Sequence, residues 1–196
     1  MPSDLFYIFE TYLQDKVALT AEEIDRLRAI AVEKKVYRKQ YLLQEGDTWK
    51  TDAFVAKGCL RTYLRTENGQ EHIIGFAIEN WWTGNREALL SGHPSRWNID
   101  AIEDSVILLF PHDRFDQLCL DIPPFGTFIQ TILQRSFVNS QKRIETNLSA
   151  TAELKYADFV ERNPQFLNRV PQSMIASYLG MTPETLSRIR RQAAKR

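Results

Sequence analysis

The sequence predicts an α+β chain. Two short helices come first, then a run of short antiparallel strands that fits a sandwich or roll. One long helix follows, and a closing pair of helices has helix-turn-helix spacing. Three observations carry this reading. Apolar residues recur at helical period over 4–32, and β-rich runs separated by turn residues take over from about Val36 to Phe110. A new helical stripe opens at Pro123-Pro124 and continues to about Leu148. Residues 151–196 hold eight Lys or Arg against four Asp or Glu, in a chain whose formal net charge is zero.

The first helical piece places Leu5, Ile8, Phe9, Tyr12 and Leu13 on one stripe. The second starts at Thr20, with Glu23 at the spacing of a capping box. The strand candidates are "YLLQ", "DAFVAKGCLRTYLR", "EHIIGFAI", "WNIDAIED" and "SVILLF". Asn68-Gly69 between two of them is a hairpin signal, because both residues tolerate positive φ. "DRFDQLC" reads as a short helix. The long helix is expected to carry one stripe of Phe125, Phe128, Ile129, Ile132, Leu133, Phe137 and Ile144. At 1.5 Å per residue it would reach roughly 36 Å. That outruns a small core, so Phe125, Ile129, Ile132, Leu133, Phe137 and Ile144 are read as a dimer seam, with a core helix as the other reading. Ser136, Ser140 and Asn147 interrupt it.

Composition bounds the function. Apolar residues make up 43% and charged residues 26% of 196 residues, ordinary for a globular protein. Zero net charge excludes a uniformly basic surface, so any nucleic-acid contact must be local. No apolar run nears the roughly 18–20 residues that span a bilayer, so no membrane partner is expected. "MPSDLFYIFE" lacks the plan of a signal peptide, and the expected location is the cytoplasm. Cys59 and Cys119 cannot alone hold an iron–sulfur cluster, which takes about four thiolates. His72, His93 and His112 are scattered without metal-ligand spacing. No nucleophile with a base and no phosphate-cradling loop is found, so neither an enzyme nor a cofactor is expected.

The strongest local pattern is "PQSMIASYLGMTPETLSRIRR", Pro171–Arg191. Helix one is expected over Gln172–Leu179 and is closed by Gly180. Thr182 is the N-cap of helix two, and Pro183 its first residue. Ala176 and Gly180 sit four apart, and Leu186 and Ile189 follow at the spacing that locks helix two onto helix one. At 100° per residue, Leu186, Ile189 and Ala193 share one face. Glu184, Arg188, Arg191 and Lys195 take the opposite face, with Ser187 beside them. Such a face suits a major groove: Arg donates twice to guanine O6 and N7, and Glu accepts from cytosine N4. Together with Gln172 and Ser173 at the start of helix one, Thr182, Pro183, Glu184, Ser187, Arg188, Arg191 and Lys195 form the expected DNA-binding set. A solvated helical hairpin is the plainer reading.

In order along the chain, "LLQEGD", "FVAKGCLRTYLRTENGQEHIIGF", "WTGNREALLSGHPSRWNIDAIED" and "YLGMTPETLSRIR" resemble the Crp/Fnr superfamily of bacterial transcription regulators. The resemblance implies a cyclic-nucleotide-binding-like antiparallel β-roll with flanking helices (1–121), a long dimerisation helix (122–150) and a helix-turn-helix domain (151–196). It implies double-stranded DNA as partner, a homodimer, and RNA polymerase as partner where the regulator activates. Glu184 and Arg188 take the base-reading positions, on a recognition helix expected over 183–194. The effector cassette would comprise Gly84, Asn85, Arg86, Glu87, Ser95 and Arg96, with Ser140 and Gln141 of the long helix facing the base.

The sequence departs from the family pattern in two places. The family cassette has Gly-Glu, then Arg-Ser about ten residues on. Here Asn85 replaces the Glu, and Ser95-Arg96 reverses the pair. On a strand a shift of one residue turns a side chain to the other face. Conventional cyclic AMP binding is therefore not expected, and the effector is unknown. Arg86 is a candidate substitute cation. Trp81, Trp82 and Trp97 either fill the roll or stack on a flat ligand. The β-hairpin wing that family members carry after the recognition helix is expected to be truncated or absent. A second functional reading is a ligand-sensing module whose C-terminal helices dock a protein.

Overall fold

The computed structural model describes residues 5–193, so Lys195 lies outside the described residues. Two compact units emerge. The first takes the chain up to Thr62 together with Phe76–Leu133, and the second takes Tyr63–Gly75 together with the chain from Gln134. These divisions differ from those drawn at 121 and 150 from the sequence. A hairpin tip belongs with the C-terminal helices, and the first turns of the long helix belong with the roll.

The chain opens with α1 (Phe6–Gln14) and α2 (Ala21–Ile30). The capping box at α2 is formed: the Glu23 N–H donates to Thr20 Oγ1 at 3.2 Å, and the Thr20 N–H donates to Glu23 Oε2 at 2.7 Å. β1 (Val32–Val36) starts earlier than the expected onset near Val36. Its first four residues are exposed, so no alternation marks it; antiparallel pairing with a later strand defines it. β2 (Tyr41–Leu43), β3 (Thr51–Lys57), β4 (Cys59–Arg65), β5 (Glu71–Ile78) and β6 (Trp82–Thr83) follow. Then come α3 (Arg86–Ser91), β7 (Asn98–Ala101), β8 (Ser105–Pro111), α4 (His112–Asp121) and α5 (Pro123–Ser149). The strands form two four-stranded sheets, ordered β1-β8-β3-β6 and β2-β7-β4-β5.

β3 and β8 explain how the first unit is filled. Alternate residues of β3 serve two different cores, as the period of two dictates. Phe54 and Ala56 join Phe6, Phe9, Leu13, Leu27, Leu108, Phe110, Phe115 and Phe125 on the helical side. Ala53 and Val55 join Leu43, Trp49, Leu60, Ile99 and Ile107, drawn from both sheets. The Phe9 ring lies 4.9 Å from Phe54, 5.1 Å from Phe110 and 5.7 Å from Trp82, centroid to centroid. Trp82 therefore packs against the helical core, whereas Trp81 is 39% exposed.

The long helix does not carry a single stripe. Phe125 is fully buried in the first unit's core, with Phe128 and Ile129 packed against that core. In the second unit Phe137, Ile144 and Leu148 are exposed. At 100° per residue, Phe125 and Phe137 are about 120° apart around the axis. Phe125 is thus withdrawn from the expected seam, because the roll already occupies it. Ile132 and Leu133 are half-buried at the change of face.

Of the second unit, the β4–β5 connection bears out the Asn68-Gly69 signal. The turn spans Thr66–Gln70, Gly69 has φ of +82°, and the Thr66 N–H donates to the Gln70 carbonyl at 2.9 Å. α6 (Ala152–Arg162), a 3-10 turn (Pro164–Phe166), α7 (Gln172–Tyr178) and α8 (Pro183–Ala193) complete the described residues. Phe159 stacks on Phe166 at 6.2 Å and meets Tyr178 at 5.7 Å.

α5 approaches α4 closely at Gly126, where an added Cβ would stand 2.2 Å from the Cys119 carbonyl oxygen. Backbone cannot yield as a side-chain tip does. Gly126→Ala is expected to destabilise the first unit by about 1–3 kcal/mol in urea unfolding.

Candidate nucleic-acid interface and effector cassette

The turn between α7 and α8 is built by local chemistry. Gly180 takes φ of +67°, where a side chain would be strained. Its N–H donates to the Ser177 carbonyl at 3.1 Å, and the Met181 N–H donates to the Ala176 carbonyl at 3.0 Å. That is the bond pair of a Schellman C-terminus. Thr182 then caps α8, accepting from the Thr185 N–H at 3.2 Å. Pro183 occupies the first helical position, where its missing N–H costs nothing.

Leu186 and Ile189 are buried, as are Ile175, Ala176 and Leu179 of the preceding helix and its end. Both α6 and α7 pack against α8. Glu184, Ser187, Arg188 and Arg191 face outward, together with Thr182, Pro183 and Ser173. Ala193, expected on the buried face, is exposed, since α8 has outrun its neighbours there. The Glu184 carboxylate accepts from its own backbone N–H and from the Thr182 hydroxyl, which hold it below the usual carboxylate range. It therefore stays an acceptor through neutral pH. Arg191 Nε turns back to the Ser187 carbonyl at 3.4 Å. Arg188 Nη2 lies 3.4 Å from Glu153 Oε1, with the Arg188 side chain 56% exposed. Gln172 is half-buried, and its Oε1 is buried without a hydrogen-bond partner.

Sequence reasoning missed a clasp in the second unit. β5 is the terminal strand of its sheet, with backbone groups left open by the ladder. Ser177 Oγ accepts from the Ile73 N–H at 3.0 Å and donates to the Glu71 carbonyl at 3.3 Å. Arg143 donates to the Ile74 carbonyl and lies 5.1 Å from the Tyr178 ring centroid. One hydroxyl and one guanidinium thus satisfy the strand edge. A serine in the last turn of a helix carries no pattern that would reveal this.

At residues 85 and 95 the cassette in the first unit carries no charge. Gly84 has φ of +142°, and a Cβ there would stand 2.7 Å from Trp49 Nε1. Asn85 is buried; its Oδ1 caps α3 through the Ala88 N–H at 3.2 Å, and its Nδ2 donates to Ser95 Oγ at 2.9 Å. Ser95 Oγ also donates to the Trp97 carbonyl at 2.9 Å and accepts from the Trp97 N–H at 3.0 Å. The positions that hold a carboxylate and a guanidinium in the family pattern thus hold an amide and a hydroxyl bonded to each other.

Arg96 points to solvent, 3.7 Å from the exposed Glu87. Arg86 lies 3.9 Å from Asp52, whose other oxygen is 2.8 Å from His112 Nδ1. Burial pushes the Asp52 carboxyl up, and His112 and Arg86 partly offset this. Arg86 thus has a counter-charge nearby, at the outer limit of an ion pair. An open cleft of about 420 Å³, lined by Lys34, Leu43, Asp47, Trp49, Lys50 and Thr51 among others, takes in none of these cassette residues. The nearest thing to a buried charge is a pair the sequence did not reveal. Arg61 Nε and Nη2 donate to the two Asp100 oxygens at 2.7 and 2.8 Å. Ser140 and Gln141 belong to the second unit and are exposed; Ser140 Oγ donates to the Ser136 carbonyl at 3.0 Å.

Among the described residues, no helix is long and apolar enough to cross a membrane. The family model of the cyclic nucleotide-binding domain matches residues 33–121. The chain is 24% identical over 185 residues to the transcriptional activator protein Anr of Pseudomonas protegens, covering 88% of this chain and 75% of that one. It is 28% identical over 183 residues to the fumarate and nitrate reduction regulatory protein of Yersinia pestis, covering 87% and 72%. The solved structure of FixK2 from Bradyrhizobium japonicum superposes with a TM-score of 0.72 at 20% identity, covering 85% of each chain.

Two outcomes test this geometry. Ser177→Ala leaves the Ile73 N–H and the Glu71 carbonyl without their side-chain partner. It is expected to cost about 1–3 kcal/mol and to speed hydrogen exchange at the Ile73 amide. Burial, with Asp116 and Asp52 adding to it, pushes the Cys119 thiol up to about 12. Alkylation at pH 8 is therefore expected to be far slower at Cys119 in the folded protein than after unfolding.

Proposed function

We propose that the chain is a homodimeric transcription regulator of the Crp/Fnr type that reads a pseudo-palindromic duplex site through α8. The observation that carries the reading is the rotation of α8. Leu186 and Ile189 are buried, so Glu184, Ser187, Arg188 and Arg191 face outward. Arg188 is assigned to guanine, Glu184 to cytosine N4, and Arg191 to phosphate. Two copies would place their α8 helices about 34 Å apart, one turn of duplex.

The second half of α5 supplies a face for the second copy. Phe137, Gln141, Ile144 and Leu148 follow spacings of four, three and four, a heptad seam with one polar position. All four are exposed within the chain. The roll is assigned a role without conventional cyclic AMP. Asn85 and Ser95 offer neither a ribose acceptor of full charge nor a phosphate cation, and burying an unpaired phosphate is costly. Where the regulator activates, RNA polymerase is the partner.

The test is binding of the full chain to genomic duplex fragments at two salt concentrations. Affinity is expected to fall steeply with salt, and Arg188→Ala to lose about 1–3 kcal/mol of discrimination at one base pair. An Arg188→Ala protein with an unchanged sequence preference would contradict the assignment. Docking of a protein partner with no duplex bound would favour the other reading.

A further inference from the structure

Arg188 does not stand alone on the outer surface of α8. Glu153, in the first turn of α6, holds its Oε1 3.4 Å from Arg188 Nη2, and both side chains are about half exposed. Both residues sit on braced elements. Thr151 caps α6 through the Leu154 N–H, and buried Leu186 and Ile189 set the rotation of α8. α6 and α8 pack on each other. A carboxylate at this place repels a phosphate backbone. Its presence beside the base-reading cation therefore works against affinity.

We propose that Glu153 is a positioning residue for Arg188, one that raises base discrimination at the expense of overall affinity; this rests on α8 being the reading helix. A guanidinium has five N–H donors in a rigid fork. Glu153 takes one hydrogen of Nη2, and enough remain to reach O6 and N7 of a guanine together. A free arginine must lose its rotamer freedom on reading a base, whereas one held beforehand has less to lose. The larger effect concerns wrong sequences. An unrestrained Arg188 opposite a mismatched pair swings to a neighbouring phosphate and recovers binding. A restrained one cannot, and specificity is the difference between those two affinities.

The full chain is first used to select preferred duplexes from a random-sequence pool. Wild type, Glu153→Gln, Arg188→Ala and the double variant are then titrated against the selected duplex, its single base-pair variants and an unrelated duplex, across a salt series. Glu153→Gln is expected to bind the unrelated duplex about threefold to tenfold tighter, with a salt slope steeper by about one. Its discrimination at the guanine read by Arg188 is expected to fall about tenfold. In the Arg188→Ala background, Glu153→Gln is expected to leave discrimination unchanged. A Glu153→Gln protein that discriminates as wild type does, while Arg188→Ala does not, overturns the positioning role and leaves α8 as the reader. Failure of wild type to select any sequence, or an Arg188→Ala protein with full discrimination, takes down both.

Discussion

The outward face of α8 exists because its inward face is pinned. Leu186 and Ile189 are three apart, and burying both against the preceding helices leaves the helix one rotational setting. Each buried aliphatic side chain is worth about 1.5–3 kcal/mol. A rotation that exposed either would also bury an arginine without a partner, which costs more still. The Schellman turn at Gly180 and the Thr182 cap fix where α8 starts, and burial fixes how it is turned. The outward polar face is thus a consequence of a two-residue hydrophobic lock.

That lock was legible in the sequence because each part of it is local. A glycine at a left-handed position, a cap, a proline at the first helical residue and an apolar pair at helical spacing all fall within Ala176–Ile189. The capping box at Thr20 and the hairpin at Asn68-Gly69 were legible for the same reason. What was missed depends on distant partners. β1 has an exposed start that only its register with β8 explains. Trp49 fills the space beside Gly84 across a long sequence gap. Ser177 and Arg143 satisfy a strand edge that no periodicity announces. The apolar residues of α5 were all visible, yet they read as one stripe because the change of face comes at Ile132 and Leu133, which suit either side.

The cassette shows how a fold is kept while its chemistry is altered. An inward Glu and Arg would need each other or a ligand, since a buried charge demands a partner. Asn85 and Ser95 satisfy each other and the backbone around them, so this part of the roll closes without an anion. The strongest buried charges lie elsewhere, in the bidentate Arg61–Asp100 pair, which is likewise self-satisfied.

The two faces of α5 set a limit on the proposed seam. With Phe125, Phe128 and Ile129 committed to the roll, only the second half of the helix remains for a second copy. Phe137, Ile144 and Leu148 from each copy, at about 1.5–3 kcal/mol per fully buried side chain, give roughly 9–18 kcal/mol before costs. Association and side-chain ordering take an estimated 4–15 kcal/mol of that. The two ranges overlap, so the strength of the proposed dimer depends on how completely those six side chains are covered. Gln141 in the middle of the seam lowers that strength and restricts register, as a polar residue at such a position does in coiled coils. The proposed dimer, held by so short a contact, would gain much of its stability from the duplex, because both α8 helices would engage one rigid partner and the second engagement would be intramolecular.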